Sequence, residues 1–372
     1  MSETSKIRVA LFFGGVSSEH KVSCVSASAW LRALQESPCA EKYEVFPVGI
    51  TTDGRWFLYN GGIDRIAVCQ WAQDTLHCTP CVLSPDRGHH GLVLLREGRG
   101  AEIVPIDVAA PILHGKNGED GTIQGLFALA AIPYVGCGVL SSAVCMDKAI
   151  ANTIMDAAGV PHCIWCAATR AEVDADANAL YERVEAKIGY PVFVKPANAG
   201  SSVGISKAKN RLELRTAIAT ALAEDDKVVF EEFISGQEVE CAAIGNPDDP
   251  GAIRTTRPGE ILAGAEFYTY DDKYINGVSQ VVIPAHLSEE KLDEVQATAR
   301  EAYLALNCAG LARCDFFVEH GTGRVLCNEL NTLPGFTNIS MYPKLMEHEG
   351  MRFAELVDAL IALALRRRKG TY

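Results

Sequence analysis

Three oxygen-bearing side chains near the end of the chain have the types and spacing of a metal site. Asp315 lies in one apolar run, and Glu329 and Asn331 lie two residues apart in the next. Carboxylate and amide oxygens, with no Cys or His among them, suit a hard cation such as magnesium. Magnesium completes its shell with water and phosphate oxygens, so the trio predicts a nucleotide nearby. A hairpin with a solvated acidic face is the alternative that the trio alone leaves open.

Two strands and a tight turn must position these side chains. The apolar runs Arg313-Cys-Asp-Phe-Phe317 and Val325-Leu-Cys-Asn-Glu-Leu-Asn331 flank a Gly-Thr-Gly turn, which is the pattern of a hairpin. Side chains alternate along a strand, so Glu329 and Asn331 share one face. The sequence therefore predicts that Asp315 joins them across an antiparallel pair.

A lysine and a glycine-serine loop carry the chemistry of a phosphate site. Lys195 ends a predicted strand, and the loop from Gly200 to Gly204 follows it. Small residues let backbone N–H groups close over an anion, and Ser201 and Ser202 add hydroxyl donors. The loop is not a Walker A sequence, and a plain hairpin with a flexible tip is the alternative. Lys148 opens a predicted helix, where a cation opposes the helix dipole, which hints at phosphate contact.

The stretch from Lys227 to Glu240 predicts a strand, an acidic and apolar crossing, and a second strand. Glu231, the backbone near Phe233 and Ile234, and Glu238 could recognise adenine and ribose. Carboxylates accept hydrogen bonds from amino and hydroxyl groups, and apolar side chains cover the face of a base.

The polar and aromatic stretch from Glu266 to Tyr274 has the composition of a lid. Lys273 and Tyr274 place a positive charge beside a hydroxyl, which would neutralise phosphate charge and help to exclude water. An ordinary surface loop is the alternative.

The N-terminal part predicts a parallel α/β sheet with a site at its strand ends. An apolar strand from Ile7 to Phe13 runs into a glycine turn and a helix. Glu19, where this helix begins, is a candidate to bind an ammonium group, with helix capping as the alternative. His114 opens a glycine-rich loop after a buried strand, where ligands bind in open sheets, although it could simply bond the loop backbone. Residues 60–100 read as irregular and receive no chemistry, although Val93-Leu-Leu95 and Ala101-Glu-Ile-Val-Pro105 could form outer strands.

Composition narrows the function classes. A net charge of -13 and no basic run in the body of the chain argue against nucleic acid as a partner. The polar start, the absence of a long apolar run and thirteen irregularly spaced cysteines predict a cytoplasmic protein with reduced thiols and no membrane contact. Cys78-Thr-Pro-Cys81 has redox or zinc spacing, but it has no second pair and its proline favours a turn.

Five motifs together resemble those of D-alanine–D-alanine ligases in the ATP-grasp superfamily. They are Gly14-Gly-Val-Ser-Ser-Glu19, His114-Gly-Lys-Asn-Gly-Glu-Asp-Gly-Thr122, Lys195-Pro-Ala-Asn-Ala-Gly-Ser-Ser-Val-Gly204, Ala312-Arg-Cys-Asp315 and Asn328-Glu-Leu-Asn-Thr-Leu-Pro-Gly335. Three could occur by chance, but all five in this order are specific. The resemblance runs from Val9 to about Leu363, nearly the whole chain.

The resemblance implies an α/β (α+β) fold with three domains. Residues 1–145 are expected to form the N-terminal substrate-binding domain with a parallel sheet, 146–233 the central ATP-grasp domain, and 234–372 the C-terminal one. The second and third domains would hold ATP between two antiparallel sheets. The implied ligands are ATP as co-substrate, two Mg²⁺ ions with Mn²⁺ as a substitute, and D-alanine. Such ligases are commonly homodimers.

The resemblance also implies a role for each matching residue. Nucleotide contacts fall to Lys148, Lys195, Ser201, Ser202, Glu231, Glu232, Phe233, Ile234, Glu238, Phe267, Lys273 and Asn328. Metal ligation falls to Asp315, Glu329 and Asn331. Substrate contacts fall to Glu19, His114, Gly335, Ser340 and Met341, and catalysis to Glu19, Ser201, Tyr274 and Arg313.

The implied reaction has two steps and serves peptidoglycan precursor synthesis. The carboxylate of one D-alanine takes the γ-phosphate of ATP, and the amine of a second attacks the acyl phosphate. Arg313 and the Gly335 N–H are expected to stabilise the oxyanion. Glu19 would hold the first ammonium group, linked through Ser201 to Tyr274, while Ser340 and the Met341 backbone hold the second carboxylate.

Two alternatives to this reaction stay open. The first is another ATP-grasp carboxylate–amine ligase that uses D-serine or D-lactate as second substrate. In this family a tyrosine at the place of Tyr274 accompanies dipeptide synthesis, so the choice of D-alanine depends largely on that residue. The second is a non-catalytic nucleotide-binding module, against which the complete set of charged site residues speaks.

Overall fold

Apolar residues of the N-terminal part form the first of three sheets in the computed structural model, which describes residues 5–96, 98, 100–200, 203–262, 280–337 and 339–367. This sheet has seven strands in the order β6-β5-β4-β3-β2-β1-β7. Its elements are β1 Ile7–Gly14, α1 His20–Leu34, α2 Cys39–Lys42, β2 Tyr43–Ile50, β3 Trp56–Tyr59, α3 Ile63–Ala67, β4 Cys78–Leu83, β5 Gly91–Arg96, β6 Gly100–Pro105, β7 Val108–Ile112, α4 Thr122–Leu129 and α5 Val139–Met146.

The prediction of a parallel sheet is correct for only part of this sheet. Strand β1 pairs in parallel with β2 and β7, as expected, but the pairs from β2 through β6 are antiparallel. The connection between β2 and β3 is only five residues long, too short for the crossover that a parallel neighbour needs. The outer strands predicted at 93–95 and 101–105 are confirmed as parts of β5 and β6, whereas β4 lies in a stretch read as irregular.

The prediction of a turn at Cys78-Thr-Pro-Cys81 is wrong, because these residues belong to strand β4. Positions three apart on a strand face opposite sides of a sheet. Cys81 is buried and Cys78 is partly exposed, so the two thiols are not arranged as a redox pair. All thirteen cysteines of the chain are free thiols, which agrees with the predicted reduced state.

The second sheet has four antiparallel strands in the order β10-β9-β11-β8 and a core of its own. Its elements are α6 Lys148–Ala158, β8 Trp165–Thr169, α7 Arg170–Ala175, α8 Ala177–Lys187, β9 Val192–Pro196, β10 Ser206–Ala208, α9 Arg211–Leu222 and β11 Lys227–Glu232. The phosphate loop predicted after Lys195 leaves β9 and returns in β10, its antiparallel partner.

The third sheet has the order β15-β14-β12-β16-β17, with β13 beside β12. Its elements are β12 Gly236–Gly245, β13 Arg254–Thr255, β14 Gly259–Leu262, β15 Gln280–Val282, α10 Glu289–Ala305, β16 Gly310–Glu319, β17 Val325–Asn331, α11 Met341–His348 and α12 Phe353–Arg366. The predicted hairpin is confirmed, since β16 and β17 are antiparallel. The three sheets fall within 1–145, 146–233 and 234–372, and the boundaries between these ranges stay predictions.

The first and third sheets share one hydrophobic core. Leu356 and Leu360 of α12 are fully buried in the same cluster as Trp30 and Leu34 of α1, and the Trp30 and Phe336 rings lie 5.4 Å apart. Each buried leucine contributes on the order of 2 kcal/mol to stability. This shared core holds the N-terminal strand ends against the β16–β17 hairpin. No helix in the described part of the chain is long and apolar enough to cross a membrane.

Candidate active site

A cavity of about 660 Å³ is lined by residues from all three sheet regions. Every predicted site residue that the structure describes lines it, namely Glu19, His114, Lys148, Lys195, Glu231, Glu232, Phe233, Ile234, Glu238, Arg313, Asp315, Asn328, Glu329, Asn331, Gly335, Ser340 and Met341. The other predicted residues, Ser201, Ser202, Phe267, Lys273 and Tyr274, lie outside the described residues. Residues up to 322 positions apart in the sequence (Glu19 to Met341) therefore line the same cavity.

The hairpin brings the three oxygen-bearing side chains together as predicted. Asp315 on β16 is the direct register partner of Glu329 on β17, and Arg313 is the partner of Asn331. The Asn331 amide donates to Asp315 Oδ2 at 3.0 Å. A bulge between Asp315 and Phe316 shifts the register beyond this point, which turns the strand end at the cavity.

Arg313 is held in a buried network of charges. Its Nε and Nη2 donate to the two oxygens of Asp315, both at 2.7 Å, and Nε also lies 2.9 Å from Glu240 Oε2. Burial lowers the pKa of Arg313, but Asp315 and Glu240 outweigh burial and raise it, so the guanidinium stays charged. Among the described residues, its Nη1 group makes no hydrogen bond and is left for a ligand in the cavity.

The oxygen atoms at this hairpin fit a hard cation. The side chains of Asp315 and Glu329 are 15% and 35% exposed, so water and phosphate can reach them. Asn331 directs its NH₂ group at Asp315, and turning the amide would present its oxygen instead. The donor set is then carboxylate, carboxylate and amide, the set that magnesium prefers.

Two lysines face this hairpin from the second sheet. Lys195 Nζ lies 2.5 Å from Glu231 Oε2 and donates to Asn328 Oδ1 at 3.3 Å. Burial lowers the pKa of Lys195, but the Glu231 carboxylate outweighs it and the net shift is upward. Lys148 Nζ donates to the Ala199 carbonyl at 2.8 Å and lies 3.8 Å from Glu329 Oε2. Both amino groups therefore lie at the cavity wall, and that of Lys195 stays charged.

The helix that begins at Lys148 is capped by the residue before it. Asp147 accepts hydrogen bonds from the N–H groups of Ala149 and Ile150, which offsets the unfavourable position of the lysine at the positive end of the dipole. The cap keeps the first turn rigid where Lys148 reaches toward Glu329.

The predicted adenosine hinge is built differently from the expectation. Glu231 is buried and bonded to Lys195 and to Asn152, and Glu232 accepts from the Ile164 N–H at 2.9 Å. Both carboxylates thus hold protein groups, and their contact with a nucleotide stays a prediction. The backbone of Phe233 and Ile234 makes no hydrogen bond to another described residue, so it is available to the edge of a base.

Glu19 reaches from α1 to the loops of two other elements. It occupies the N-cap position of α1, but its side chain makes no capping bond, so helix capping does not explain it. Gly115 has a φ of +71°, a conformation that favours glycine. A Cβ at Gly115 would lie 2.6 Å from Glu19 Oε2, and one at Gly200 would lie 3.5 Å from it. The carboxylate therefore sits between the His114 loop and the phosphate loop.

Gly115→Ala should lower kcat/KM for D-alanine by about tenfold to a hundredfold, because the new methyl group displaces the Glu19 carboxylate. Gly159→Ala is a matched control: its φ is also +71°, but nothing lies within 4 Å of an added Cβ. Both variants carry the same backbone strain, so thermal melting should shift comparably. Equal steady-state kinetics for the two variants would contradict the placement of Glu19.

His114 joins the first and third sheets at the cavity edge. Its Nδ1 donates to the Leu333 carbonyl at 2.9 Å, and its Nε2 lies 3.0 Å from Ser26 Oγ. Ser26 Oγ in turn accepts from the Phe336 N–H at 3.2 Å. Both ring nitrogens are engaged and the residue is 4% exposed, so His114 positions the loop before Gly335, and its contact with a substrate stays a prediction.

Glu119 is a cavity residue that the sequence reasoning missed. Its Oε1 lies 3.7 Å from His114 Nδ1. Burial raises the pKa of Glu119 to about 7, the nearby Glu19 charge adds to the shift, and His114 opposes it. Burial lowers the pKa of His114, but Glu119 and Glu19 raise it on balance. Glu119 lies within the motif that begins at His114. The sequence could have indicated it, because it is an acidic residue in a glycine-rich loop at the end of a strand.

Glu119→Gln should flatten the pH dependence of stability between pH 4.5 and about 7. The carboxyl titrates near 4.5 in the unfolded chain and near 7 in the folded protein, so the folded state holds the extra proton in this window and stability falls as pH rises. Between these two pH values the free energy of unfolding of the unmodified protein falls by about 3 kcal/mol at most. Urea unfolding at several pH values measures this change. Glu185→Gln is the control, because Arg211 lowers the pKa of Glu185 to about 2 and its effect belongs below pH 4.5. An unchanged slope in Glu119→Gln would contradict the shift.

The N-terminus of α11 faces the cavity beyond Gly335. Ser340 is the N-cap residue, but its hydroxyl bonds to Thr337 and makes no capping bond to the helix. The first N–H groups of α11, at Met341 and after it, are left without a side-chain cap. A helix N-terminus of this kind binds carboxylate groups.

Two further lining residues were missed by sequence reasoning. Glu240 binds the guanidinium group of Arg313. Strand alternation could have identified Glu240, since it shares one face of β12 with Glu238. Lys207 on β10 places its Nζ 3.6 Å from the centre of the Phe233 ring. The sequence could have indicated Lys207, because it follows the predicted phosphate loop closely in the chain.

The fold and the cavity define a class of protein. Two antiparallel sheets, joined by the crossing at Phe233 and Ile234, enclose charged groups suited to a nucleotide, and the first sheet adds Glu19 at its strand ends. This is the arrangement of the ATP-grasp ligases.

Comparisons with known proteins identify the family within this class. Residues 8–137 match the family model for the D-ala D-ala ligase N-terminus, and residues 154–362 match the model for its C-terminus. A D-alanine–D-alanine ligase of Caldicellulosiruptor bescii is 46% identical over 98% of this chain and 97% of its own. The chain belongs to the D-alanine–D-alanine ligase family, whose members are ATP-dependent ligases.

Solved structures share the fold over nearly the full length. The VanG D-Ala:D-Ser ligase of Enterococcus faecalis superposes on this chain with a TM-score of 0.86 at 38% sequence identity. The superposition covers 97% of this chain and 100% of the ligase chain. The D-alanine–D-alanine ligase of Coxiella burnetii superposes with a TM-score of 0.81 at 32% sequence identity, over 97% of this chain and 94% of the ligase chain.

Proposed function

We propose that this protein joins two D-alanine molecules into D-alanyl-D-alanine with hydrolysis of ATP to ADP and phosphate. The observation that carries this proposal is a single cavity with two kinds of wall. One wall has the charged groups of Lys148, Lys195 and the β16–β17 hairpin, and the other has Glu19 and the start of α11. The first suits a nucleotide triphosphate, and the second suits amino-acid ammonium and carboxylate groups.

The first step is phosphoryl transfer from ATP to a carboxylate. Glu19 pairs with the ammonium group of the first D-alanine and so directs its carboxylate toward the nucleotide. An oxygen of that carboxylate attacks the γ-phosphorus, the bond to ADP breaks, and an acyl phosphate forms. Lys148 and Lys195, held in place by Ala199 and Glu231, stabilise the phosphoryl oxygens.

We propose that Asp315, Glu329 and Asn331 hold the magnesium ions that accompany ATP. When bound, the metal neutralises phosphate charge and orients the phosphoryl group. The chain's own part is to fix two carboxylates and an amide on adjacent strands. Arg313 orients Asp315 through two hydrogen bonds.

The second step is aminolysis of the acyl phosphate. The carboxylate of the second D-alanine binds the first N–H groups of α11 near Ser340 and Met341, which places its amine toward the carbonyl carbon. The amine attacks the carbonyl carbon, which forms the C–N bond and a tetrahedral oxyanion. The carbonyl then re-forms as the C–O bond to phosphate breaks, and the departing phosphate takes up the proton that the amine loses. Arg313 Nη1 and the Gly335 N–H are proposed to stabilise the oxyanion.

The test is phosphate release from MgATP with the full-length protein, together with the mass of the product. D-alanine alone should sustain release and give the dipeptide, whereas L-alanine or no amino acid should not. Release that depends only on L-alanine would refute the proposal, and no release with any amino acid would favour a non-catalytic nucleotide-binding module.

A second substrate other than D-alanine is favoured by one observation, the likeness to the D-Ala:D-Ser ligase of Enterococcus faecalis. The residue on which the choice depends, Tyr274, lies outside the described residues. The same assay with D-alanine plus D-serine or D-lactate decides between them. A mixed product that exceeds D-alanyl-D-alanine at equal concentrations would favour the alternative.

We further propose that the reaction takes place in the cytoplasm, serves peptidoglycan precursor synthesis and is carried out by a homodimer. The location is supported by the thirteen free cysteines, which suit a reducing compartment. The dimer rests on the family resemblance, and light scattering of the purified protein tests it: the mass should be twice 40.1 kDa.

A further inference from the structure

One histidine and two cysteines form a cluster beside the first sheet. His20 and Cys24 are four residues apart on α1, so their side chains share one face. Cys69 lies just after α3, which packs against α1. A ring nitrogen of His20 and the two sulfur atoms all lie within 4.8 Å of one another. In the described part of the chain, no other group of three His, Cys, Asp or Glu side chains meets this criterion for holding a metal.

The backbone holds one nitrogen of the His20 imidazole, a feature shared with metal-binding histidines. Its Nδ1 lies 2.8 Å from the Gly15 carbonyl oxygen. A carbonyl oxygen can only accept, so Nδ1 carries the proton and the lone pair remains on Nε2. Histidine ligands characteristically donate their second N–H to a carbonyl or carboxylate in this way, which fixes both the tautomer and the ring.

The backbone at Cys69 keeps its thiol near α1. Cys69 has a φ of +55°, which is uncommon for a residue with a side chain, and its N–H donates to the Ile66 carbonyl at 2.9 Å. This tight turn ends α3 beside α1. Cys24 is fully buried, whereas His20 and Cys69 are partly exposed, so the cluster is open to solvent on one side.

The geometry points to a binding site for one thiophilic divalent cation, Zn²⁺ in the first place, with His20, Cys24 and Cys69 as ligands and water as the fourth. With bonds of about 2.3 Å to sulfur and about 2.0 Å to nitrogen, the ligand atoms of a tetrahedral zinc site lie about 3.5–3.8 Å apart. The observed separations, none above 4.8 Å, exceed these distances by about 1 Å at most, and side-chain rotation would close this gap on binding. Two thiolates and an imidazole select zinc over magnesium.

This site is separate from the active-site cavity. His20, Cys24 and Cys69 are not among the residues that line the cavity. The His20 ring packs on Gly14, where an added Cβ would lie 2.9 Å from its Cε1. The preceding Glu19 points away, toward Gly115 and Gly200. A cation bound here therefore does not depend on the hairpin ligands or on the proposed ligase activity.

The test is titration of the reduced, metal-free, full-length protein with Co²⁺, followed by displacement with Zn²⁺. A tetrahedral site with two thiolates gives a sulfur-to-cobalt charge-transfer band and intense visible bands, whereas Co²⁺ on carboxylates gives neither. We expect one Co²⁺ per chain with these bands, and their loss when one equivalent of Zn²⁺ is added.

Variants assign the bands to this cluster. His20→Gln and Cys69→Ser, both at partly exposed positions, should each weaken Co²⁺ binding at least tenfold while the far-UV circular dichroism stays unchanged. Cys78→Ser removes another partly exposed thiol of the same sheet and should leave binding as in the unmodified chain. Absence of a thiolate band in the unmodified chain, or bands of equal strength in His20→Gln and Cys69→Ser, would overturn the proposal.

Discussion

Arg313→Lys should reduce kcat by about a hundredfold to a thousandfold while ATP binding changes less than about fivefold. Lysine keeps the positive charge beside Asp315 and Glu240, so no buried carboxylate is left without a counter-charge. Lysine has no planar guanidinium group. It therefore cannot bond both oxygens of Asp315 and also offer a donor where Nη1 of Arg313 is proposed to meet the reacting carbonyl. The effect is that of removing an oxyanion donor, worth about 3–4 kcal/mol in the transition state.

The control for Arg313→Lys is Arg324→Lys on the same hairpin. Arg324 makes an equivalent two-pronged contact with Glu319, at 2.8 and 3.0 Å, but it does not line the cavity. Steady-state phosphate release and equilibrium binding of ATP measure the two variants side by side. A kcat for Arg313→Lys within threefold of the Arg324→Lys value would remove Arg313 from the oxyanion site.

Glu329→Gln should lower turnover by about a thousandfold and weaken the apparent affinity for Mg²⁺ at least tenfold. The substitution keeps the shape of the side chain but removes the charge that a hard cation requires. The loss corresponds to about 4 kcal/mol of transition-state stabilisation. Thermal melting should move by only about 3 °C or less, because the side chain is partly exposed.

Glu319→Gln is the matched control for this variant. Glu319 ends β16 on the same hairpin, bonds to Arg324 and does not line the cavity. Phosphate release is measured over a range of Mg²⁺ concentrations at saturating ATP and D-alanine. Full turnover in Glu329→Gln, or loss of turnover with an unchanged Mg²⁺ dependence, would refute the metal assignment.

Much of the site could be predicted because its residues are adjacent in the chain or separated by a simple turn. Asp315, Glu329 and Asn331 follow from strand alternation and a glycine turn, and β16 and β17 confirm that pairing. Lys195 and the loop after it follow from a strand that ends in small residues. In each case the prediction depends on local sequence: the alternation of side chains along a strand, the residues of a turn, or a helix cap.

Other features depend on partners that are far away in sequence. Glu231 lies on a predicted hinge strand, but its carboxylate is bonded to Lys195. His114 was placed toward a ligand, but Leu333 and Ser26 engage its ring. In the antiparallel half of the first sheet, β5 and β6 were predicted as outer strands, but β3 and β4 were missed because their short runs carry no strong period.

The sequence by itself determined which chemical groups are present, the order of the five motifs, and the hairpin with its three oxygen-bearing side chains, since these depend on residue type and near-neighbour spacing. Only the tertiary structure decided which charges neutralise one another, that Glu119 stands beside His114 and Glu19 with a raised pKa, and that His20, Cys24 and Cys69 meet. The physical reason is that pairing and desolvation are properties of side chains brought together by long-range packing. No local pattern in the chain records them.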